Sequence, residues 1–475
     1  MINHIVTAID NVVERQREFI NSETAYTRKS PWNFNRNVNF QIFRERTTTR
    51  HDINTFYLES MDHCYKKVTK GNYSRRRTFI DPEVYKEVSR EFLKQIKYAQ
   101  NLNKNNSYKG FSLYAVDGLT LSFDNNQRLR DEFKVKNKTF RYTQSSEAKF
   151  TAIMDLYNGY IIDGELGNFR QSERELFKIN IKNSQKAIDF KNSIITLDRG
   201  FVSLEIMAYL INQNIFFVQR SRNNFYKEEI NRIKKIDSPI KIKLNSSRLR
   251  SFKDPELKEK YSKELYLELR LVRVELESGQ KEILLTNIPP EIMSTEDIFK
   301  IYGERWIIET NYNRLKNRFE IENYTSDSKE NIKQDVYSTV IKYNIYMDYY
   351  NICNKLVRNK LIKNGKITDE NDEYVYKVDF ANLTRNLNKY LYKMIIDPTR
   401  KNINFYSSWI IKKSCLDYNK IKKYRKYPRY KINRGSKYSR SYGKIWWFSN
   451  PKYIKKCGDF IKSPTLVPGI NFFNL

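Results

Sequence analysis

The order of short apolar runs between residues 110 and 220 constrains this chain more than any other feature. Leu113-Tyr114-Ala115-Val116 is too short for a helix and stops at Asp117-Gly118, as a buried strand would. Phe150 to Leu156 and Tyr160 to Leu166 predict two more strands, joined by Tyr157-Asn158-Gly159, where Asn-Gly is a strong hairpin signal. A helix is expected from about Ser172, then the strand Ile194-Ile195-Thr196-Leu197 ending at Asp198. Another helix follows from near Val202, and Ile215 to Val218 makes a last strand. Three strands with a hairpin, then helix, strand, helix and strand, give an α/β core: a mixed sheet flanked by helices.

The flanking regions differ in character. Residues 1–105 read as helical and basic. Asp81-Pro82-Glu83 is a helix start, followed by Val84, Val88, Phe92, Leu93 and Ile96 at helical spacing. In front of it stands Ser74-Arg75-Arg76-Arg77, either a DNA-groove contact or a solvated charge run. The core, begun over 106–220, is interrupted at 221–290. There Ile240, Ile242 and Leu244 alternate with lysines, and Leu265, Leu267, Leu269 and Leu271 alternate with polar residues, predicting an all-β insertion with a basic face. Residues 291–360 resume the core with a long helix from near Ser294 through Glu309 and a second from about Ser328 to Leu356. The remainder, 361–475, is a basic, aromatic C-terminal region expected to contact DNA or to dimerise. Its stretch 401–462 holds 18 Lys and Arg against two acids, Asp417 and Asp459. Tyrosines interleave with cations in Lys423-Tyr424-Arg425-Lys426-Tyr427-Pro428-Arg429-Tyr430, which suits phosphates and stacked bases; the alternative is a disordered basic tail. Trp409, Trp446 and Trp447 favour at least partial folding.

Charge narrows the function. Lys and Arg number 87 against 55 Asp and Glu, a net charge of +32. Such an excess points to a polyanion, nucleic acid first and an anionic membrane surface well behind. Cys64, Cys353, Cys415 and Cys457 are far apart and form no CxxC pair, and there are three histidines, so zinc and redox motifs are not indicated. Free thiols fit a reducing cytoplasm. No run approaches eighteen apolar residues, and Asp10 and Glu14 interrupt the start, so neither a membrane span nor a signal peptide is expected. The absence of GxGxxG and Walker A loops argues against dinucleotide or NTP chemistry.

Metal-assisted phosphodiester chemistry needs hard oxygen ligands on rigid backbone. Asp117 and Asp198 each end an apolar strand, although Asp117-Gly118 alone could be a turn and Asp198 a helix N-cap. Tyr302, Arg305, Glu309 and Lys316 are separated by three, four and seven residues. At about 100° per residue they fall within roughly 60° of one helix face. Ile301, Ile308, Tyr312, Leu315 and Phe319 form the adjoining apolar stripe.

These residues carry a resemblance. The spacing Tyr-x2-Arg-x3-Glu-x6-Lys at Tyr302, Arg305, Glu309 and Lys316 is the signature of the DDE transposases of insertion-sequence family four. Tyr114-Ala115-Val116-Asp117-Gly118, Thr196-Leu197-Asp198-Arg199-Gly200-Phe201 and Leu284-Leu285-Thr286-Asn287-Ile288-Pro289 stand in the matching order. The likeness spans about residues 75 to 350. It departs at Leu119-Thr120-Leu121, where a small residue often follows the first aspartate. It departs again in 221–290, which lacks the tryptophan some relatives use on a flipped base. The resemblance implies an RNase H-like (retroviral integrase-like) core. It implies Asp117, Asp198 and Glu309 as ligands of two Mg2+ or Mn2+ ions, with Tyr302, Arg305, Lys316 and Arg199 contacting DNA. The expected partners are double-stranded DNA, as transposon ends and target, and a second copy of the chain on paired ends. The expected setting is the cytoplasm of a prokaryote, at the nucleoid. The rival readings are a nuclease on the same core that never joins strands, and a DNA-binding derivative without catalysis.

Overall fold

A computed structural model describes residues 2–422 except 31, 60–67, 101–106, 125, 135–145, 223–224, 276–280, 368–373 and 397–398. The chain divides into two compact units, Met1–Lys423 and Tyr424–Leu475, of which the second lies outside the described residues. The Lys423–Tyr430 tract, Trp446, Trp447, His63, Cys64 and Cys457 lie outside them as well.

Among the described residues five α-helices precede the sheet: α1 (Ile2–Glu14), α2 (Phe34–Phe43), α3 (Thr49–Glu59), α4 (Lys70–Arg77) and α5 (Glu83–Gln100). Asp81 starts α5 as its sequence predicts, accepting from Glu83 N at 2.8 Å, and Val84, Val88, Phe92, Leu93 and Ile96 are buried. The arginine run divides, with Arg75 exposed and Arg77 departing from both expectations. Successive helical residues point about 100° apart, so three in a row cannot all face outward. Arg77 turns inward and is buried against α14 (Lys329–Lys363), where Nη2 meets Asp335 Oδ1 at 3.1 Å and Nε meets Gln334 Oε1 at 3.0 Å.

The core is an eight-stranded mixed sheet in the order β3-β2-β1-β4-β5-β8-β7-β6. Its strands are β1 (Ser112–Phe123), β2 (Ser146–Asp155), β3 (Ile161–Asn168), β4 (Ser193–Leu197), β5 (Phe216–Arg220), β6 (Asp237–Lys243), β7 (Tyr266–Glu275) and β8 (Lys281–Thr286). The β2–β3 hairpin turns at Asn158-Gly159, with Gly159 at φ +72° and Asp155 accepting from the amides of Tyr157 and Asn158. β1, β4 and β5 are parallel; the other pairings are antiparallel.

Helix α7 (Glu173–Ser184), N-capped by Ser172 as expected, lies on β2 and β3. Helix α8 (Leu204–Asn212) makes the β4–β5 crossover, and α14 packs on α2, α5 and β3. A short helix α6 (Gln127–Glu132) follows β1. Past the core, α15 (Phe380–Ile396) and α16 (Arg400–Ser414) pack together, and β9 (Tyr374–Val378) pairs with β10 (Tyr418–Lys422). Among the described residues no helix is long and apolar enough to cross a membrane.

Two expectations are corrected. The segment 221–290 is not all-β: it contains α9 (Lys227–Arg232), α10 (Ser246–Leu249) and α11 (Pro255–Ser262). Asn245 and Asp254 cap the last two, Asp254 with Pro255 behind it, a start signal that strand alternation on either side obscures. Its strands extend the main sheet, because β8 covers the otherwise unpaired edge of β5, Val218 facing Thr286 and Arg220 facing Leu284. The first strand also does not stop at Asp117. It runs to Phe123 because β2 continues to pair with it, Asp117 facing Ala152 and Phe123 facing Ser146.

Candidate active site

Register brings the two aspartates together. β1 and β4 share their last parallel rung at Val116 and Leu197, and Asp117 and Asp198 are the next residues on each strand. Neighbouring strands lie about 4.8 Å apart, so the carboxylates flank the point where the strands part. β1 carries on along β2, whereas β4 ends in a 3-10 turn, Arg199–Phe201. Asp198 precedes this turn in extended conformation and makes no side-chain capping bond. Gly118 lies within β1 and not in a turn. A Cβ there would come within 2.9 Å of the Glu173 carboxyl, so Gly118 lets the start of α7 approach the strand.

The third element is a pair of helices where one was expected: α12 (Thr295–Glu304) and α13 (Trp306–Asn317). Ser294 opens α12 in a capping box, accepting from Asp297 N at 3.2 Å while its own N–H donates to Asp297 Oδ2 at 3.0 Å. Arg305 tightens the chain between the helices: its N–H donates to Tyr302 O at 3.2 Å, and its carbonyl accepts from Ile308 N at 3.1 Å, both bonds of 3-10 type. Ile301, Ile308, Tyr312, Leu315 and Phe319 are all buried, as the stripe predicts. Tyr312 also has a polar task, since its hydroxyl donates to Asp117 O at 2.7 Å and ties α13 to the first aspartate.

Around this break the side chains sort themselves. Arg305 is buried, and its Nη2 reaches Glu309 Oε1 at 3.3 Å. Tyr302 is buried beside it, with its hydroxyl 3.5 Å from Asp198 Oδ1. Burial opposes the charge of Arg305, but Tyr302, Asp198, Asp117 and Glu309 outweigh that and hold its proton more tightly than usual. Asp117 responds in the opposite sense. Burial pushes its carboxyl up to about 6; the Gly118 N–H at 2.9 Å and Arg305 pull it down, and Glu309 and Asp198 push it back up. Tyr302 is pushed up to about 12, mainly by burial. Five expected residues, Asp117, Asp198, Tyr302, Arg305 and Glu309, thus share one electrostatic neighbourhood. Lys316 stands apart, its Nζ donating to Thr120 O at 3.0 Å and Glu322 Oε1 at 3.3 Å along the far half of β1. Arg199 is exposed on the turn after Asp198.

The donor set is hard oxygen on two strands and a helix, which suits magnesium or manganese. Among the described residues no three His, Cys, Asp or Glu groups lie close enough to hold an ion as they stand. The buried Arg305 guanidinium brings one cation to these carboxylates, and its Nε has no hydrogen-bond partner among the described residues. The donors fit a hard divalent ion in charge and ligand chemistry, whereas their spacing does not enclose one.

Sequence reasoning did not single out Tyr312 as a polar contact, because its place in an apolar stripe hides the hydroxyl. It also passed over Arg174 and Arg222, which donate to the turn after Asp198, and Glu173, which lies against Gly118; all three come from other elements and carry no local motif.

No curated protein matches the chain. A solved structure, the piggyBac transposase synaptic complex with hairpin DNA, aligns over 86% of this chain and 85% of that one, at 12% identity and a TM-score of 0.40, a slight likeness. Residues 108–345 match the family model described as the transposase DDE domain, a span that takes in the whole sheet, both aspartates and the α12–α13 pair. The chain belongs to the DDE-domain transposases.

Proposed function

We propose that the chain cuts and joins DNA as a metal-dependent transposase, with Asp117, Asp198 and Glu309 as its metal-holding carboxylates. The observation that carries this is the buried Arg305 guanidinium, 3.3 Å from Glu309 and within electrostatic reach of the strand-end residues Asp198 and Asp117. Three acids to one arginine leave a surplus of negative charge that an added cation would relieve. When bound, two Mg2+ or Mn2+ ions supply an activated attacking oxygen and a stabilised leaving oxygen.

The chain's own residues do the rest. Arg305 exchanges its carboxylate partners for a DNA phosphate, offering the unpartnered Nε as a donor. Tyr302 steadies Asp198 and contacts the DNA end. Lys316 and Arg199 bind the backbone to either side. The reading is of an RNase H-like core of the insertion-sequence family four type, for which the strand order β3-β2-β1-β4-β5 and its parallel crossovers are the support. Residues 1–105 recognise terminal inverted repeats, 361–475 contact DNA or the second protomer, and two protomers pair two ends at the nucleoid.

The test is cleavage, then joining. Full-length protein with Mg2+ should nick a duplex carrying the inverted repeats that flank its reading frame and join a pre-cut 3′ end to target DNA. Glu309→Gln should lose both by at least about a thousandfold and weaken Mn2+ binding by calorimetry. Equal activity of the variant and wild type would end the proposal, and cleavage without joining would reduce it to a nuclease.

A further inference from the structure

The turn after Asp198 draws in two arginines from different elements. Arg222, just past β5, donates from Nε to Arg199 O at 2.9 Å and from Nη2 to Gly200 O at 3.2 Å. Arg174, in the first turn of α7, donates from Nη2 to the same Gly200 O at 3.5 Å. Two Nη2 atoms that share one oxygen stand no more than about 7 Å apart, so two positive charges are held close together. Neither forms an ion pair among the described residues. The nearby acids are engaged elsewhere: Glu173 with Lys149 at 3.8 Å, and Glu205 with Lys178 at 2.6 Å and the amides of Lys253 and Asp254 at 2.9 and 3.0 Å. Burial and the neighbouring Arg222 both make Arg174 a weaker base than usual.

Each guanidinium has five N–H groups in a planar fork. Arg222 spends two on carbonyls and Arg174 one, so most donors of the pair remain for another partner. Arg222 is exposed, Arg174 is half-buried, and Arg199 is exposed on the same turn. Like charges fixed on a rigid backbone a short step from Asp198, with Glu205 and Glu173 acting on Arg174 from beyond ion-pair distance, match a phosphodiester better than any neutral ligand. We propose that Arg174 and Arg222 form a phosphate clamp for the DNA backbone beside the bond positioned at Asp198. This rests on the functional reading above and assigns that site its neighbouring phosphate contact.

The test uses full-length protein and a fluorescein-labelled random duplex of about 30 base pairs, titrated over a series of salt concentrations. Arg174→Gln with Arg222→Gln keeps an amide donor for the turn carbonyls but removes the charge. It should weaken binding about tenfold or more and reduce the slope of log affinity against log salt by about one to two. The double Lys variant should keep the wild-type slope. A double Gln variant with the wild-type slope, whatever its melting temperature, would show that the arginines only pin the turn. Should that variant fail to fold, phenylglyoxal labelling of the wild type decides: the duplex should shield both arginines, and no shielding, or equal shielding by inorganic phosphate, overturns the clamp. The two readings fail separately. A wild type that never cleaves with Mg2+ or Mn2+ refutes the catalytic proposal, whereas a cleaving wild type beside an unchanged salt slope refutes the clamp.

Discussion

Two charge clusters in this protein, one buried and one half-buried, are built on opposite principles. In the first, Asp335 on α14 receives Arg77 Nη2 at 3.1 Å and Arg44 Nη2 at 3.2 Å, and the Thr325 N–H at 3.0 Å. Burial alone would raise its pKa, but Arg77, Arg44 and Arg46 win and bring it down to about 2. In the second, Asp117 is pushed up to about 6, first by burial, with Glu309 and Asp198 adding to it while the Gly118 N–H and the single Arg305 pull it down. In the first cluster Asp335 and Asp52 lie wholly within the core among arginines, and the group stitches α2 and α4 to α14. The second has three acids to one arginine and lies half-open to solvent. A charge cluster sealed in the core serves the fold, whereas a half-exposed one with surplus negative charge on a rigid frame suits a ligand of the missing sign.

The contrast can be broken most forcefully at Asp335. Asp335→Asn leaves Arg44 and Arg77 buried without their counter-charge and should cost about 3–5 kcal/mol in urea unfolding. A loss below about 1 kcal/mol would mean that the first cluster does not hold the fold.

The smaller effect at Asp117 has the opposite sign. Its folded pKa of about 6 lies above the ordinary 3.8, so the native state holds the proton more tightly than the unfolded chain. Stability therefore falls as pH rises from about 3.8 to 6, and the full cost is present above that window. Asp117→Asn should raise metal-free stability at pH 7.5 by on the order of 1–2 kcal/mol after solvent screening. The gain should vanish by about pH 4. Added Mg2+ should raise the melting temperature of the wild type but not of the variant. A variant less stable than wild type at pH 7.5 would contradict the idea of surplus negative charge.

The smallest effect concerns Tyr302. At 3.5 Å its hydroxyl touches Asp198 weakly. Tyr302→Phe should change stability by less than about 1 kcal/mol and cleavage by no more than about tenfold. A thousandfold loss in single-turnover cleavage would move Tyr302 from steadying a carboxylate into the chemistry itself.

Much of this was legible in the chain. The strand and helix order of the core, the β2–β3 turn at Asn158-Gly159, and the starts at Ser172, Asp81, Ser294 and Ser328 are all signalled by neighbouring residues, because caps and turns are local chemistry. The buried stripe from Ile301 to Phe319 follows from helical spacing in the same way. The break at Arg305 was not legible, since Tyr302, Arg305 and Ile308 fit a continuous helix in spacing. The small helices α10 and α11 were missed because the flanking alternation of leucines and isoleucines is the stronger pattern. Lys316 fits the face of its helix on paper, yet Glu322 and Thr120 draw it along β1.

The sequence alone determined on what kind of element each candidate residue would sit, because a period of two or 3.6 and a capping side chain act over a few residues. Only the tertiary structure decided which charges would meet. Arg77 and Asp335 are 258 residues apart and Tyr302 and Asp198 are 104 apart. Whether an arginine ends against a carboxylate, a carbonyl or water depends on which buried faces pack together, and that is settled by the summed burial of the whole core.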